Sequence, residues 1–320
     1  MKYTVGIDLG GTNIAVGLCD ENHTLKDKLS VPTVVDKGAD KVAEDMAGAV
    51  AELLRKNGLT AEDILSVGIA TPGTANTETG VVEYANNLPF LHFPIAEAFK
   101  KYLPVKKVLI ANDANAAALG EALAGSAKGA KTAVMVTLGT GVGSGIILDG
   151  KIFAGGINYA GAELGHTVIV VGGRQCSCGR RGCWEAYSSA TALTRKTEEV
   201  MTELRLKNLD SLLFEEAKAE GKTSARTAFE AAKRGDAYAQ KIVDWYLEHL
   251  AAGIANIVNT FQPEVISIGG GVSNQKENLV APLRELVRQE QYTRNNKVIT
   301  RIVTATLGND AGIIGAAGLC

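Results

Sequence analysis

Three cysteines, Cys176, Cys178 and Cys183, fall within eight residues, and His166 stands ten positions before the first of them. The pattern H-x9-C-x-C-x4-C offers one imidazole and three thiolates, a Cys3His set suited to tetrahedral zinc. Four protein ligands leave no open coordination position, so a metal held here is structural and not hydrolytic. The glycines of "CGRRGC" permit the tight turns that a ligand-bearing knuckle needs. The alternatives are plainer: free thiols are common as small buried residues, and a disulfide leaves one of the three sulfurs over. A nucleic-acid finger needs a recognition helix with basic reading positions, whereas only Arg174, Arg180 and Arg181 are nearby.

Glycine-rich turns supply a second chemistry. In "DLGGTN", Gly10, Gly11, Thr12 and Asn13 can cradle a phosphate, because backbone N–H groups approach an anion closely where no Cβ intervenes. Asp8, just before the turn, would not touch phosphate but would hold Mg²⁺ through water. A second turn, "GTGVGSG" (139–145), contains Thr140 and Gly141, and a third, "GGG" (269–271), contains Gly270 and Gly271. Both could contact the phosphates and the nucleoside. One such turn is simply a hairpin; three in this order, each abutting an apolar strand, point to a nucleotide. "GKT" at 221–223 lacks the glycine five positions earlier that a P-loop requires and reads as an exposed turn between helices. No strict G-x-G-x-x-G occurs, which counts against a Rossmann dinucleotide site.

The stretch "ANDANAAALGE" places Asn112 and Asp113 where a strand ends and a helix starts. Asp113 reads there either as an N-cap, accepting a first-turn N–H, or as the group that orients an acceptor hydroxyl and takes its proton.

The elements that must position these groups are α/β in pattern. "KYTVGIDLG" and "NIAVGLCD" are strands joined by the first turn, "KLSVPTVV" continues that sheet, and residues 40–56 carry apolar side chains at helical spacing. A second strand pair surrounds 139–145, so "GIDLGGTNIAVGL" and "VTLGTGVGSGIIL" echo each other as strand, Gly/Thr turn, strand. A long amphipathic stretch is expected from about 224 to 261, a strand in "PEVISIGGGVS", a helix over roughly 277–290, and a small-residue helix near 310–318. The echo implies two similar α/β halves facing across a cleft.

Composition sets the bounds. Of 320 residues, 46% are hydrophobic and only 5% aromatic, so the core is aliphatic, and 36 glycines suit tight turns around a ligand. A net charge of −2 gives no electrostatic footprint for a nucleic-acid backbone or an acidic membrane. No run of about eighteen apolar residues suggests a membrane span. Asp8 interrupts any signal-peptide apolar region, so a cytoplasmic protein with reduced thiols is expected. Cys19 reads as core and Cys320 as an incidental residue.

Taken together, "GIDLGGTN", "TLGTGVGSGII" and "SIGGGVS" resemble the two phosphate motifs and the adenosine motif of the actin-like, sugar-kinase ATPase superfamily. Within it, "ELGH" (163–166) and "CSCGRRGCWE" (176–185) resemble the ROK family of sugar kinases and repressors, most closely its bacterial glucokinases. The resemblance runs from residue 4 to 318. It implies the actin-like ATPase (ribonuclease H-like) fold, with a small domain of 1–112 plus 304–320 and a large one of 113–303. MgATP would sit on the glycine turns, with domain closure excluding water.

The resemblance further implies that Asp113 is the base facing the 6-hydroxyl of glucose and Asn112 a sugar contact. Glu163, His166 and Glu185 would line the sugar pocket from the large domain, with Gly73 and Asn87 from the small one; Asn86 could serve in place of Asn87. By themselves, the two glutamates read as surface charges. Glu163 lies three residues before His166 and Glu185 two after Cys183, so a closed zinc knuckle would fix both carboxylates. The family histidine ligates zinc through one ring nitrogen and touches sugar with the other. Another hexose (N-acetylmannosamine, mannose, allose or fructose) could be the acceptor. Polyphosphate as donor is less expected, because relatives dedicated to it tend to lack the cysteine cluster. A sugar-responsive repressor would carry a helix-turn-helix ahead of the first phosphate motif, for which Asp8 leaves no room. The partners expected are a hexose, MgATP and further copies of the chain in a homodimer or homotetramer.

Overall fold

In the computed structural model, residues 2–319 are described; Cys320 lies outside them. The chain opens with β1 (Tyr3–Leu9), β2 (Asn13–Cys19), β3 (Leu25–Pro32), α1 (Ala39–Lys56) and β4 (Ile64–Thr71). A small three-stranded sheet follows, of β5 (Thr74–Asn76), β6 (Val81–Tyr84) and β7 (Leu91–Phe93). Next come α2 (Ile95–Tyr102), β8 (Val108–Asn112), α3 (Asp113–Ala124), β9 (Ala133–Leu138), β10 (Val142–Leu148) and β11 (Lys151–Phe153). A helical stretch holds α4 (Glu185–Ser188), α5 (Ala190–Leu206), α6 (Leu212–Ala219), α7 (Ala225–Lys233) and α8 (Ala237–Phe261). The chain ends with β12 (Val265–Gly269), α9 (Glu277–Glu290), β13 (Arg301–Thr304) and α10 (Asp310–Ala317).

The first large sheet has the order β3-β2-β1-β4-β8 and the second β11-β10-β9-β12-β13. In each, the first three strands lie in reverse order and the last two continue beyond the first. The echo between the two strand-turn-strand segments is therefore an echo of whole-sheet topology. β1 pairs antiparallel with β2, with Leu9 opposite Ile14, so residues 10–13 form the connecting turn. β4 and β8 run parallel, with Thr71 beside Asn112, as their crossover through α2 requires.

Two compact units divide the chain. The first comprises the residues up to Met135, Gly145–Ala162 and those from Ala305 onward; the second comprises Val136–Ser144 and Glu163–Thr304. The boundary expected at residue 112 is thus displaced, because α3 belongs to the first unit. Glycine explains why. A Cβ on Gly315 would lie 1.7 Å from the carbonyl oxygen of Ala116, and one on Gly120 2.2 Å from that of Ala311, so α3 and α10 touch backbone to backbone. The same helix lies on the sheet at Gly6 and Gly68, where an added Cβ would meet α10 carbonyls at 1.8 Å. The Gly/Ala composition of the last helix thus follows from contacts with β1, β4 and α3.

A buried carboxylate fastens this arrangement. Glu121, near the end of α3, accepts N–H bonds from Thr306 at 2.9 Å, Leu307 at 2.8 Å and Ser126 at 2.7 Å. The Ser126 hydroxyl adds a further donor at 2.6 Å, so the buried carboxyl oxygens are satisfied by hydrogen bonds. Cys19 is buried against α10, in the core as its sequence suggested.

In the second unit, the amphipathic stretch 224–261 is two helices and not one. Gly235, at φ +90°, takes the chain out of α7, and Asp236 caps α8 by accepting from Tyr238 and Ala239 at 2.9 and 2.8 Å. Among the described residues no helix is long and apolar enough to cross a membrane.

Candidate active site and metal centre

Asn112, the last residue of β8, is the N-cap of α3. Its side-chain oxygen accepts from the N–H groups of Ala114 at 3.0 Å and Asn115 at 3.2 Å, and its amide nitrogen donates to the Gly73 carbonyl at 3.1 Å. The cap reading of Asp113 is therefore corrected by one residue. Asp113 accepts the adjacent Ala114 N–H, at 2.8 Å, through Oδ1. Burial pushes its carboxyl above the ordinary carboxylate range, opposed by the Ala114 N–H and the Asn112 side chain. Asp8, at the end of β1, is pushed up to about 6, first by burial and then by the negative charge of Asp113. The two carboxylates thus share one electrostatic site. Gly312 of α10 makes room for the first, since a Cβ there would come within 2.8 Å of Asp8 Oδ2.

The first glycine turn sits on the same sheet end. Gly10 N–H donates to Asn13 O at 2.9 Å, and Thr33 clamps the turn by donating its hydroxyl to Gly10 O and its N–H to Thr12 O, both at 2.8 Å. Gly11, Thr12 and Asn13 remain exposed. Asn87 is beside them, its Cβ 3.5 Å from where a Cβ on Gly11 would stand. Asn86 accepts the Tyr84 hydroxyl at 2.7 Å, whereas the Asn87 amide has no partner among the described residues. Both asparagines are exposed. Gly73 is glycine for a local reason: its φ is +88° and a Cβ would strike the Tyr84 carbonyl oxygen at 2.0 Å.

In the second unit, His166, Cys176, Cys178 and Cys183 bring four ligand atoms within 4.8 Å of one another. Cys176 Sγ lies 3.6 Å from His166 Nδ1, and Cys178 Sγ lies 3.7 Å from Cys183 Sγ. Zn–S bonds of about 2.3 Å and Zn–N bonds of about 2.0 Å give tetrahedral edges of roughly 3.5 to 3.8 Å, so the donor set fits zinc. The knuckle is shaped by Cys176 N–H to Arg180 O at 2.9 Å and Gly179 N–H to Cys176 O at 3.1 Å. Gly179 and Gly182 have φ of +89° and +82°. At Gly182 no side chain fits, because a Cβ would lie 1.7 Å from Val170 O.

Trp184, between Cys183 and Glu185, is wholly buried and anchors this stretch. Its Nε1 donates to the His249 carbonyl at 3.1 Å, and Gly253 of α8 leaves space for the indole. Glu185 turns back toward the protein: Oε2 accepts the Val142 N–H at 3.0 Å and Oε1 the Ser177 hydroxyl at 2.9 Å. Glu163 is exposed, at the start of the 3-10 turn that carries His166. The second and third glycine turns are neighbours, since a Cβ on Gly270 would lie 2.6 Å from the backbone of Leu138. Thr191, in the first turn of α5, holds the second by donating to Thr140 O at 2.8 Å. Gly271 is open, with nothing near its missing Cβ.

The sequence pointed to the His/Cys set, the glycine turns and the carboxylates described above, but not to Trp184, Ser177 or Glu121. One signal was available: a tryptophan in "GCWE", one of two in the chain, flanked by a ligand and an acid.

Residues 4–320 match the ROK family. A glucokinase from Thermotoga maritima is 38% identical over 317 residues, spanning 98% of this chain and 96% of that protein. A ROK family glucokinase from Streptomyces griseus, solved with glucose and AMPPNP, is 32% identical with a TM-score of 0.77, covering 99% of both chains. A ROK hexokinase from Thermus thermophilus, also 32% identical, gives a TM-score of 0.80 over 98% of this chain and 96% of that one. The fold is the two-domain actin-like ATPase fold of these sugar kinases. The chain belongs to the ROK family.

Proposed function

We propose that this protein is an ATP-dependent glucokinase in which Asp113 is the base that activates the 6-hydroxyl of glucose. The observation that carries the reading is the division of labour at the start of α3. Asn112 caps the helix, and Asp113 is left outside the cap with a raised proton affinity. A carboxylate so held can accept a proton at the moment a hydroxyl becomes a nucleophile. The likeness to glucokinases over nearly the whole chain supports glucose as acceptor and ATP as donor.

In this scheme the 6-hydroxyl oxygen bonds to the γ-phosphorus as its proton passes to Asp113. The bond from that phosphorus to the β–γ bridging oxygen breaks, and ADP leaves with the electron pair. Gly10, Gly11, Thr12 and Asn13, with Thr140, Gly141, Gly270 and Gly271, bind the nucleotide. Asp8 would hold Mg²⁺, which neutralises charge on the donor phosphates. Gly73, Asn87 and Asn112 of the first unit and Glu163, His166 and Glu185 of the second are the sugar contacts implied by the family. His166, Cys176, Cys178 and Cys183 would hold a structural zinc. We further propose a cytoplasmic location and assembly as a homodimer or homotetramer.

The test is ADP release from MgATP with D-glucose, mannose, allose, fructose and N-acetylmannosamine. The highest kcat/KM on glucose is expected. A tenfold preference for another hexose would replace the acceptor, and no turnover on any sugar would overturn the reading.

A further inference from the structure

The carboxylate of Glu185 joins two parts of the second unit that sequence reasoning treated separately. Ser177 lies between two metal ligands, Cys176 and Cys178, and donates its hydroxyl to Glu185 Oε1 at 2.9 Å. The other oxygen of Glu185 accepts the N–H of Val142, at the end of the second glycine turn, at 3.0 Å. Room for that bond comes from Gly141, where a Cβ would stand 2.3 Å from Glu185 Oε2. Gly141 thus packs against the carboxylate, and the Val142 N–H is already committed within the protein.

The histidine side of the metal set reaches the same strand. Leu164, two residues before His166, donates its N–H to Ser144 Oγ at 3.1 Å, and a Cβ on Gly165 would lie 2.2 Å from Val142 O. Both arms of the metal set thus press on β10 where it leaves the turn. A cavity of about 330 Å³ opens at this junction, lined by Thr140, Gly141, Cys176, Ser177, Glu185 and Arg195 among others.

We propose that Ser177 and Glu185 form a latch between the metal knuckle and the second glycine turn, so that metal occupancy and donor-nucleotide binding are thermodynamically linked. Glu185, besides its proposed sugar contact, is then a positioning residue for the turn. The proposal rests on the reading above, in which the turn binds the donor and the knuckle binds zinc. If zinc favours the turn geometry that binds nucleotide, nucleotide must favour zinc by the same factor.

The experiment uses the full, zinc-loaded chain. Zinc release is followed with a chromophoric chelator with and without saturating ADP, and ADP binding is measured calorimetrically in wild type, Ser177→Ala and Ser177→Thr. In wild type, ADP should slow zinc release roughly five- to tenfold. Ser177→Ala, which leaves all four ligands intact, should lose most of that effect. It should also raise KM for ATP severalfold, and Ser177→Thr should restore both. ADP that binds without slowing zinc release, or full linkage in Ser177→Ala, overturns the latch and leaves the kinase reading intact. Absence of ADP binding to the wild-type chain overturns both.

Discussion

Asn112 caps the helix that Asp113 begins. The two residues are adjacent and chemically similar, yet the structure gives them different work. The Asn112 oxygen serves the Ala114 and Asn115 N–H groups, while its nitrogen ties the cap to Gly73. Had Asp113 been the cap, its charge would be spent on the first turn of α3. With the cap one residue earlier, the carboxylate is held at the helix start and kept available.

Replacing the cap should therefore be measurable apart from catalysis. Asn112→Ala should lose about 1 kcal/mol of stability, while Asn112→Ser, which keeps a cap acceptor, should lose less. Urea unfolding midpoints at pH 7.5 measure both. Equal losses would show that the cap contributes nothing.

Asp8 predicts an unusual dependence of stability on pH. Its folded carboxyl is raised to about 6, above the unfolded value, so the folded chain binds this proton more tightly than the unfolded chain does. This group's contribution therefore falls as pH rises from about 4 to about 6, and above that range its ionisation costs about 3 kcal/mol. Asp8→Asn should raise Tm at pH 7.5 without nucleotide or Mg²⁺, and the gain should vanish near pH 4. A gain independent of pH would place the effect elsewhere.

The metal set should contribute to folding. The purified chain should hold one zinc per molecule, and Cys183→Ser should lose it and lower Tm by several degrees. Elemental analysis and thermal scans decide this. A metal-free wild-type chain with unchanged Tm would contradict the assignment.

Trp184 should link core packing to the metal. An added methyl on Gly253 would lie 2.0 Å from the indole, and overpacking of this kind costs about 1 to 3 kcal/mol. Gly253→Ala should lower Tm and speed zinc loss to a chelator, because Cys183 and Glu185 flank the displaced ring. Lower stability with unchanged zinc release would confine Trp184 to the core.

Much of this was legible because local chemistry dictated it. The glycine turns, the H-x9-C-x-C-x4-C spacing and the strand end before Asp113 each follow from neighbours in sequence. The α9 helix was expected at roughly 277–290 and spans Glu277–Glu290. What escaped the sequence depends on partners far along the chain. The placement of α3 in the first unit requires knowing that Gly120 meets Ala311 and Gly315 meets Ala116. The break between α7 and α8 was available in Gly235-Asp236 but was masked by apolar periodicity on both sides. The bond from the Val142 N–H to the Glu185 carboxylate escaped because the two residues are 43 apart.

The most direct test of the account is the stoichiometry of ADP and glucose 6-phosphate formed by wild type and Asp113→Asn with saturating MgATP and glucose. Wild type should form the two products one to one. The variant should keep a similar KM for glucose while kcat falls by about 10² to 10⁴. Full turnover by Asp113→Asn would contradict the assignment of the base at the centre of this account.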